Sequence, residues 1–374
     1  MWWIEKQKKL LAIADNHANL IVYDSETINN SINTIKEQSA FNKIFYAMKA
    51  NFNPELLQLI SKYDIGFECV SPGEIKFLKK VLPKISAKDI LFTPNFAPKK
   101  DYIWALKNNL LVTIDNLYLL ESWPDIFRGK KILVRIDLGK GDGHHDFVKT
   151  AGNISKFGIP INKVNKIKQY TEKYDIEVVG LHVHNGSGVT NTSNWVNSAK
   201  LLIDIAQSFS SIKIINLGGG LPIRERVSDQ AFDIKKVNDL LIDCKKKFKD
   251  YEFWIEPGRY IVGESGVILS HVTQTKKKDG YCYVGIDVGM NTLIRPALYG
   301  AYHEIVNLTK LRQKNATKIT IVGPICESGD VLGHDRELPP TKENDVILIA
   351  NAGAYVRSMA SNYNLREIPE ELVI

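Results

Sequence analysis

Cysteine is scarce in this sequence, and the little present carries no pattern. Its four cysteines, Cys69, Cys244, Cys282 and Cys326, are widely spaced and form no Cys-x-x-Cys pair. That excludes a disulfide framework and a zinc site of the usual spacing, so reduced thiols and no metal are expected. Long apolar runs are missing too: no stretch approaches the roughly 18 residues that a membrane span needs. Charges interrupt the opening segment MWWIEKQKKLLAIADNHANL, which therefore lacks the apolar core of a signal peptide. A soluble, cytoplasmic protein is the expectation. Nor is there a basic tail, an internal repeat or a low-complexity tract. The net charge of +7 is scattered over amphipathic stretches, and the basic runs 245–247 and 276–278 read as solvated surface. This patterning argues against a nucleic-acid partner.

The sequence does have enough apolar residues, 44% of 374, for one large domain or two ordinary ones. Short β-branched runs alternate with helical periods from residue 25 onward. The strand candidates are 44–50, 64–70, 89–93, 110–114, 131–137, 177–184, 213–217 and 252–256. Segments such as PGEIKFLKKVL, NWVNSAKLLIDIAQSF and FDIKKVNDLLIDCKKKFK lie between them, several opened by proline, serine or aspartate at capping positions. Eight such alternations over some 220 residues predict an α/β fold, a (β/α)8 barrel, which takes about 250. After Tyr260 the helical period fades, and runs such as VILSHVTQT, YCYVGID, KITIVGP and DVILIANAG alternate with turns. A mostly β C-terminal domain is expected there, with LIVYD (20–24) able to lend it a strand. The predicted division is a barrel over 25–260 and a β domain from 1–24 plus 261–374.

In such barrels the chemistry sits at the C-terminal ends of the strands, and here those ends are polar. The first candidate strand runs into Lys49, on the same two-residue face as Phe45 and Ala47. The others end at Glu68 and Ser71, at Arg135 and Asp137, at His184, at GGGLP (Gly218, Gly219, Gly220) and at EPGR (Glu256 to Arg259). Taken singly each has a plain structural explanation, since most lysines at strand ends reach water. Taken together they describe one site. Consecutive glycines let backbone N–H groups converge on an anion, with Ser187 and Arg259 as further donors. A partly desolvated Lys49 could bond an aldehyde, and Glu256 could keep a pyridine nitrogen protonated. With His184 to stack on a ring, this is the set that pyridoxal 5′-phosphate requires.

At this point the chain resembles the pyridoxal-phosphate decarboxylases of the alanine-racemase-like fold type, and within them the diaminopimelate decarboxylases. The matching segments are YAMKAN, HVHNGSG, NLGGGLP, EPGR, LIRPALYGAYH, CESGD and AGAY…MASNYN, in the family's order over nearly the whole chain. The resemblance implies that Lys49 carries the cofactor and His184 stacks on its ring. It places Ser187, Gly218, Gly219, Gly220, Gly258 and Arg259 at the phosphate, Glu256 at the ring nitrogen, and Tyr355 also at the cofactor. Arg259, Arg295, Tyr299, Glu327 and Tyr355 fall where that family binds substrate. Cys326 matches a cysteine that completes the partner's site across a dimer, so a homodimer is implied.

Arg295 and Glu327 offer a cation and an anion for the far end of a diamino acid bearing a second carboxylate. An unpaired buried group would cost a site built for ornithine or lysine roughly 1–3 kcal/mol. The implied reaction is decarboxylation of meso-2,6-diaminopimelate to L-lysine, the last step of lysine biosynthesis. A related decarboxylase of ornithine, lysine or carboxynorspermidine, and a silent cofactor-binding homologue, remain alternatives. Two positions depart from the family pattern: Gly188 replaces the common glutamine, and Glu68 the usual aspartate. The loop GKGDGHHDFVKTAGNISKFGIP looks more like the decarboxylase half of fused aspartate kinase–decarboxylases. No kinase sequence is present, so the chain is expected to be free-standing or a fragment.

Overall fold

A computed structural model describes residues 1–139, 155–226 and 228–374 of the chain. Most of the unusual loop singled out above, residues 140–154, lies outside the described residues. The first strand, β1 (Asn19–Tyr23), precedes the barrel strands β2 (Phe41–Ala47), β3 (Gly66–Cys69), β4 (Ile90–Phe92), β5 (Leu111–Ile114) and β6 (Lys131–Asp137). The two-residue β7 (Ile159–Pro160) extends the end of β6, and β8 (Glu177–His182), β9 (Ile214–Asn216) and β10 (Glu252–Ile255) complete the set. All pair in parallel in the order β5-β4-β3-β2-β10-β9-β8-β6, and β5 pairs with β6 to close the barrel.

The strand period of two sorts side chains into two cores. Ile44, Tyr46 and Met48 face outward into the shell under the helices, beside Ile28, Ile32 and Ile35 of the helix Ser25–Lys36. That helix starts where Asp24 accepts the Thr27 N–H at 2.9 Å, satisfying a donor that the first turn leaves unpaired. The barrel interior is plugged by Phe45, Leu91, Leu133 and Trp254. Gly66 makes room for this plug, because a Cβ there would lie 2.6 Å from Phe45. One step further along seven of the eight strands the inward residue turns polar, namely Glu68, Thr93, Thr113, Arg135, His182, Asn216 and Glu256, whereas on β2 it is Ala47. The apolar plug thus floors a polar chamber at the C-terminal mouth.

The second sheet is built by β11 (Gly266–Lys278), β12 (Tyr281–Ile286), β13 (Ile305–Asn307), β14 (Thr317–Val322), β15 (Val331–Leu338), β16 (Val346–Ile349) and β17 (Glu370–Val373). The order is β13-β16-β11-β12-β14-β15, with β1 between β11 and β17. The LIVYD run therefore joins the β sheet, as its composition suggests. The helices Trp2–Glu5 and Gln7–Ala14, absent from the sequence reading, cover this sheet through Trp3, Leu10 and Ala14. Sheet and barrel meet at a tight crossing. A Cβ on Gly353 would come 1.6 Å from the carbonyl oxygen of Val262. Two residues on, the Tyr355 N–H donates to the Ala50 carbonyl at 2.8 Å, and Asn51 Nδ2 donates to the Gly353 carbonyl at 2.9 Å. Among the described residues no helix is long and apolar enough to cross a membrane.

Candidate active site

A cavity of about 500 Å³ opens at the C-terminal mouth of the barrel. Its wall includes Lys49, His184, Ser187, Gly219, Gly220, Glu256, Gly258, Arg259, Arg295, Tyr299 and Tyr355. Most of the residues singled out from the sequence are therefore brought to one chamber. Cys326 and Glu327 are not: both lie on an exposed turn after β14, away from this wall. Within one copy of the chain, Glu327 cannot share the cavity with Arg295.

Lys49 does not end a strand. β2 stops at Ala47, and Lys49 sits in the 3-10 turn Met48–Ala50 that follows, a turn pinned by the Tyr355 bond to Ala50. Nor is Lys49 held as the free amine in this arrangement. Burial lowers its affinity for a proton, but the Glu68 carboxylate outweighs this with help from Tyr355 and Glu256, and the ammonium is favoured. Its Nζ lies 2.6 Å from Glu68 Oε2; the Lys49 side chain is 39% accessible through the cavity, whereas Glu68 is 1% accessible. Glu68 also accepts from the Thr93 hydroxyl. Freeing the amine therefore requires displacing this pair.

His184 likewise lies two residues beyond the end of β8 rather than within it. Its Nδ1 accepts the Gly219 N–H at 3.1 Å. Burial, reinforced by the charges of Arg135 and Lys49, holds the ring neutral by lowering its pKa well below the ordinary histidine value. Glu256 is fixed from two sides: Asn216 Nδ2 donates to Oε1 at 2.8 Å, and His182 Nε2 lies 3.2 Å from Oε2. Burial pushes this carboxyl up, but His182, then Lys49, overcome it and bring it below the usual carboxylate range. A buried carboxylate kept ionised in this way is suited to facing a protonated nitrogen.

The glycine loop differs in detail from the expected nest. Gly218 donates its N–H to Asn216 Oδ1 at 2.9 Å and Gly219 donates to His184, so these two N–H groups already have partners. What Gly218 and Gly220 contribute is backbone shape, with φ of +66° and +95°. A Cβ on Gly220 would stand 2.3 Å from the Gly186 carbonyl oxygen. Donors come from Arg259, whose Nη2 meets Ser187 Oγ at 3.3 Å and whose guanidinium lies 4.9 Å from the centre of the Tyr355 ring. Tyr355 itself adopts a positive φ of 59°, an unusual state for a bulky residue that the tight crossing imposes.

Arg295 is 3% exposed. Its Nη1 points to Nε2 of His303 at 2.9 Å, and Nδ1 of His303 lies 2.9 Å from the Ala350 carbonyl. The carbonyl requires a hydrogen on Nδ1, so Nε2 is the acceptor for Arg295. Burial, and then Arg295, lower the His303 pKa to about 3. Among the described residues Arg295 has no carboxylate within ion-pair distance.

Sequence reading missed His182, Asn216 and His303. The period of two gives a signal for the first, since Gly180, His182 and His184 share an inward face. The other two depend on contacts that no spacing announces.

Residues 25–263 match the family described as "Pyridoxal-dependent decarboxylase, pyridoxal binding domain". The chain belongs to that family. Among curated pyridoxal-dependent decarboxylases it is 34% identical to the diaminopimelate decarboxylase of Methanothermobacter thermautotrophicus, over 90% of this chain and 81% of that protein. A crystal structure of diaminopimelate decarboxylase superposes with a TM-score of 0.91 at 27% identity, over 98% of this chain and 91% of the other. The Helicobacter pylori diaminopimelate decarboxylase complexed with L-lysine gives 0.88 at 28% identity, over 95% and 91%.

The chamber fits pyridoxal phosphate on its own terms. It offers an amine at one end and an ionised carboxylate on the floor. A neutral imidazole lines the wall, and a glycine cradle whose Cβ positions are filled by backbone adjoins Arg259 and Ser187.

Proposed function

We propose that this chain decarboxylates meso-2,6-diaminopimelate to L-lysine, with pyridoxal phosphate held on Lys49. The carrying observation is Arg295, a buried guanidinium in the chamber wall braced by a neutral histidine. Burial of a cation without a counter-charge is costly, and it lowers the Arg295 pKa to about 10. A substrate with a second carboxylate removes that cost, whereas ornithine or lysine leaves it standing.

In this reading Arg259 and Ser187 bind the phosphate, and His184 gives the ring a flat neutral wall. Glu256 keeps a proton on the ring nitrogen. When bound, the cofactor supplies a protonated pyridine ring that accepts the electron pair left behind by departing carbon dioxide. Lys49 would hold the cofactor and lies within the chamber to carry a proton, with Glu68 favouring its ammonium form. Tyr299 and Tyr355 line the substrate end.

The same proposal places Cys326 and Glu327 in the active site of a second copy. Their turn is tied to the C-terminal segment by Cys326 N–H donating to Asn364 Oδ1 at 2.7 Å. Beside it Tyr363 is exposed and Leu365 is 93% exposed. Leu365 has a positive φ of 55°, strain that an apolar residue in water does not repay. A partner surface supplies the reason for both. The barrel over 25–260 would then carry the cofactor, the β unit from 1–24 plus 261–374 the substrate and dimer loops, and the setting would be the cytoplasm.

The test compares turnover of the pyridoxal-phosphate-loaded protein on meso-diaminopimelate, ornithine, L-lysine and carboxynorspermidine. The first should be preferred, and Arg295→Met should raise its KM on the order of ten-fold or more, the scale for losing a charged contact. Faster turnover of ornithine or lysine would overturn the assignment.

A further inference from the structure

In the floor and wall of the chamber, three polar side chains on adjacent strands sit level with one another, and two of them, Arg135 and His182, line the cavity. Arg135 on β6 is in register with His182 on β8. Asp115, one residue past β5, continues the register that pairs Ile114 with Val134, and so lies level with Arg135. Each of the three has a buried polar atom without a hydrogen-bond partner among the described residues: Asp115 Oδ1, Arg135 Nη2 and His182 Nδ1. Asn95, whose amide donates to the other oxygen of Asp115, leaves its own Oδ1 in the same condition. Buried polar atoms left unpaired cost about 1–3 kcal/mol each, and the three that lie level on adjacent strands, those of Asp115, Arg135 and His182, point to a common partner.

The donors and acceptors match one small molecule. Arg135 Nη2 can only donate, and Asp115 Oδ1 in its ionised form accepts. His182 presents Nε2 to the Glu256 carboxylate, which requires the hydrogen on Nε2 and leaves Nδ1 to be satisfied from the other side. We propose that one buried water, accepting from Arg135 and donating to Asp115 and to His182 Nδ1, makes His182 the positioning residue that keeps an N–H aimed at Glu256. Three bonds is the ordinary complement of an internal water. Its function is to fix the tautomer: with Nδ1 engaged, the imidazole hydrogen is committed to the carboxylate beneath the ring nitrogen. The charged and titratable groups facing this carboxylate are His182, Lys49 and His184, with Arg135 and Asp115 behind them.

This inference rests on the reading that Glu256 faces the ring nitrogen, and the experiment separates the two. The visible absorbance of the pyridoxal-phosphate-loaded protein is titrated from neutral to alkaline pH for the parent, His182→Gln, Asp115→Asn and Glu256→Gln. The parent band should hold its position. His182→Gln should bring a pH-dependent band shift into this window and lower kcat roughly ten-fold with little change in KM, the size of effect that outer partners of a functional group have. Asp115→Asn should move the band in the same direction by less. If Glu256→Gln shifts the band while both other variants are silent, the relay is overturned and the Glu256 reading stands. If Glu256→Gln is itself silent, the ring-nitrogen reading falls. Should His182→Gln fail to fold, a crystal structure of the parent decides the matter: a water bonded to His182 Nδ1 and Asp115 supports the proposal, and a dry contact there overturns it.

Discussion

A histidine that touches no reacting atom shows how much of this site is built at the level of single side chains. His303 is fully buried between Arg295 and a backbone carbonyl, and stays neutral because burial lowers its pKa to about 3. Its unfolded counterpart titrates near 6.5. Between those values the unfolded chain binds more protons than the folded one, so this group's contribution to stability is complete above about pH 6.5 and is lost as pH falls toward 3. Urea midpoints of the parent and of His303→Gln, measured across that window, should converge on acidification, at up to about 1.4 kcal/mol per pH unit. A parallel offset at every pH would show that His303 titrates freely. Arg295 was legible in the sequence because its segment resembles a family motif. The residue that braces it was not, since a histidine eight positions away has no periodic relation to it.

At the scale of elements, sequence patterning revealed the barrel because two independent periods, two and 3.6, alternate eight times. The interior plug also follows from the strand period. Ends of elements were harder to read: Lys49 lies in a 3-10 turn and His184 in an irregular segment, each two residues past its strand. The glycine loop was legible as composition, yet its hydrogen bonding was not, because Asn216 and His184 claim two of its N–H groups. Short strands such as β13 and β17, and the N-terminal helices, depend on a sheet surface that exists only after folding. The loop makes a sharp prediction. Gly220→Ala adds a methyl group against the Gly186 carbonyl at a φ that disfavours side chains, which should cost roughly 1–3 kcal/mol and weaken pyridoxal-phosphate binding. Fluorescence titration with the cofactor measures this; unchanged affinity would mean that the loop is not part of the cradle.

At the scale of the whole molecule, the turn bearing Cys326 stands apart from the chamber it is proposed to serve. If each active site of a dimer takes Lys49 from one copy and Cys326 from the other, two inactive variants should complement. Mixing Lys49→Ala with Cys326→Ala after subunit exchange should restore about a quarter of the parental activity, since random pairing makes half the dimers mixed and each mixed dimer carries one intact site. Activity that stays at the level of the separate variants would place both residues in a single copy.

The glycine seam between barrel and sheet has an implication for how such proteins diversify. Gly353 rests on Val262 with no space for a methyl group, and the same segment grips the turn that presents Lys49. A hybrid joining the barrel of one relative to the sheet of another would inherit two halves of one clasp. Such an exchange should succeed only when both sides of the clasp travel together, whatever the similarity of the remaining surfaces.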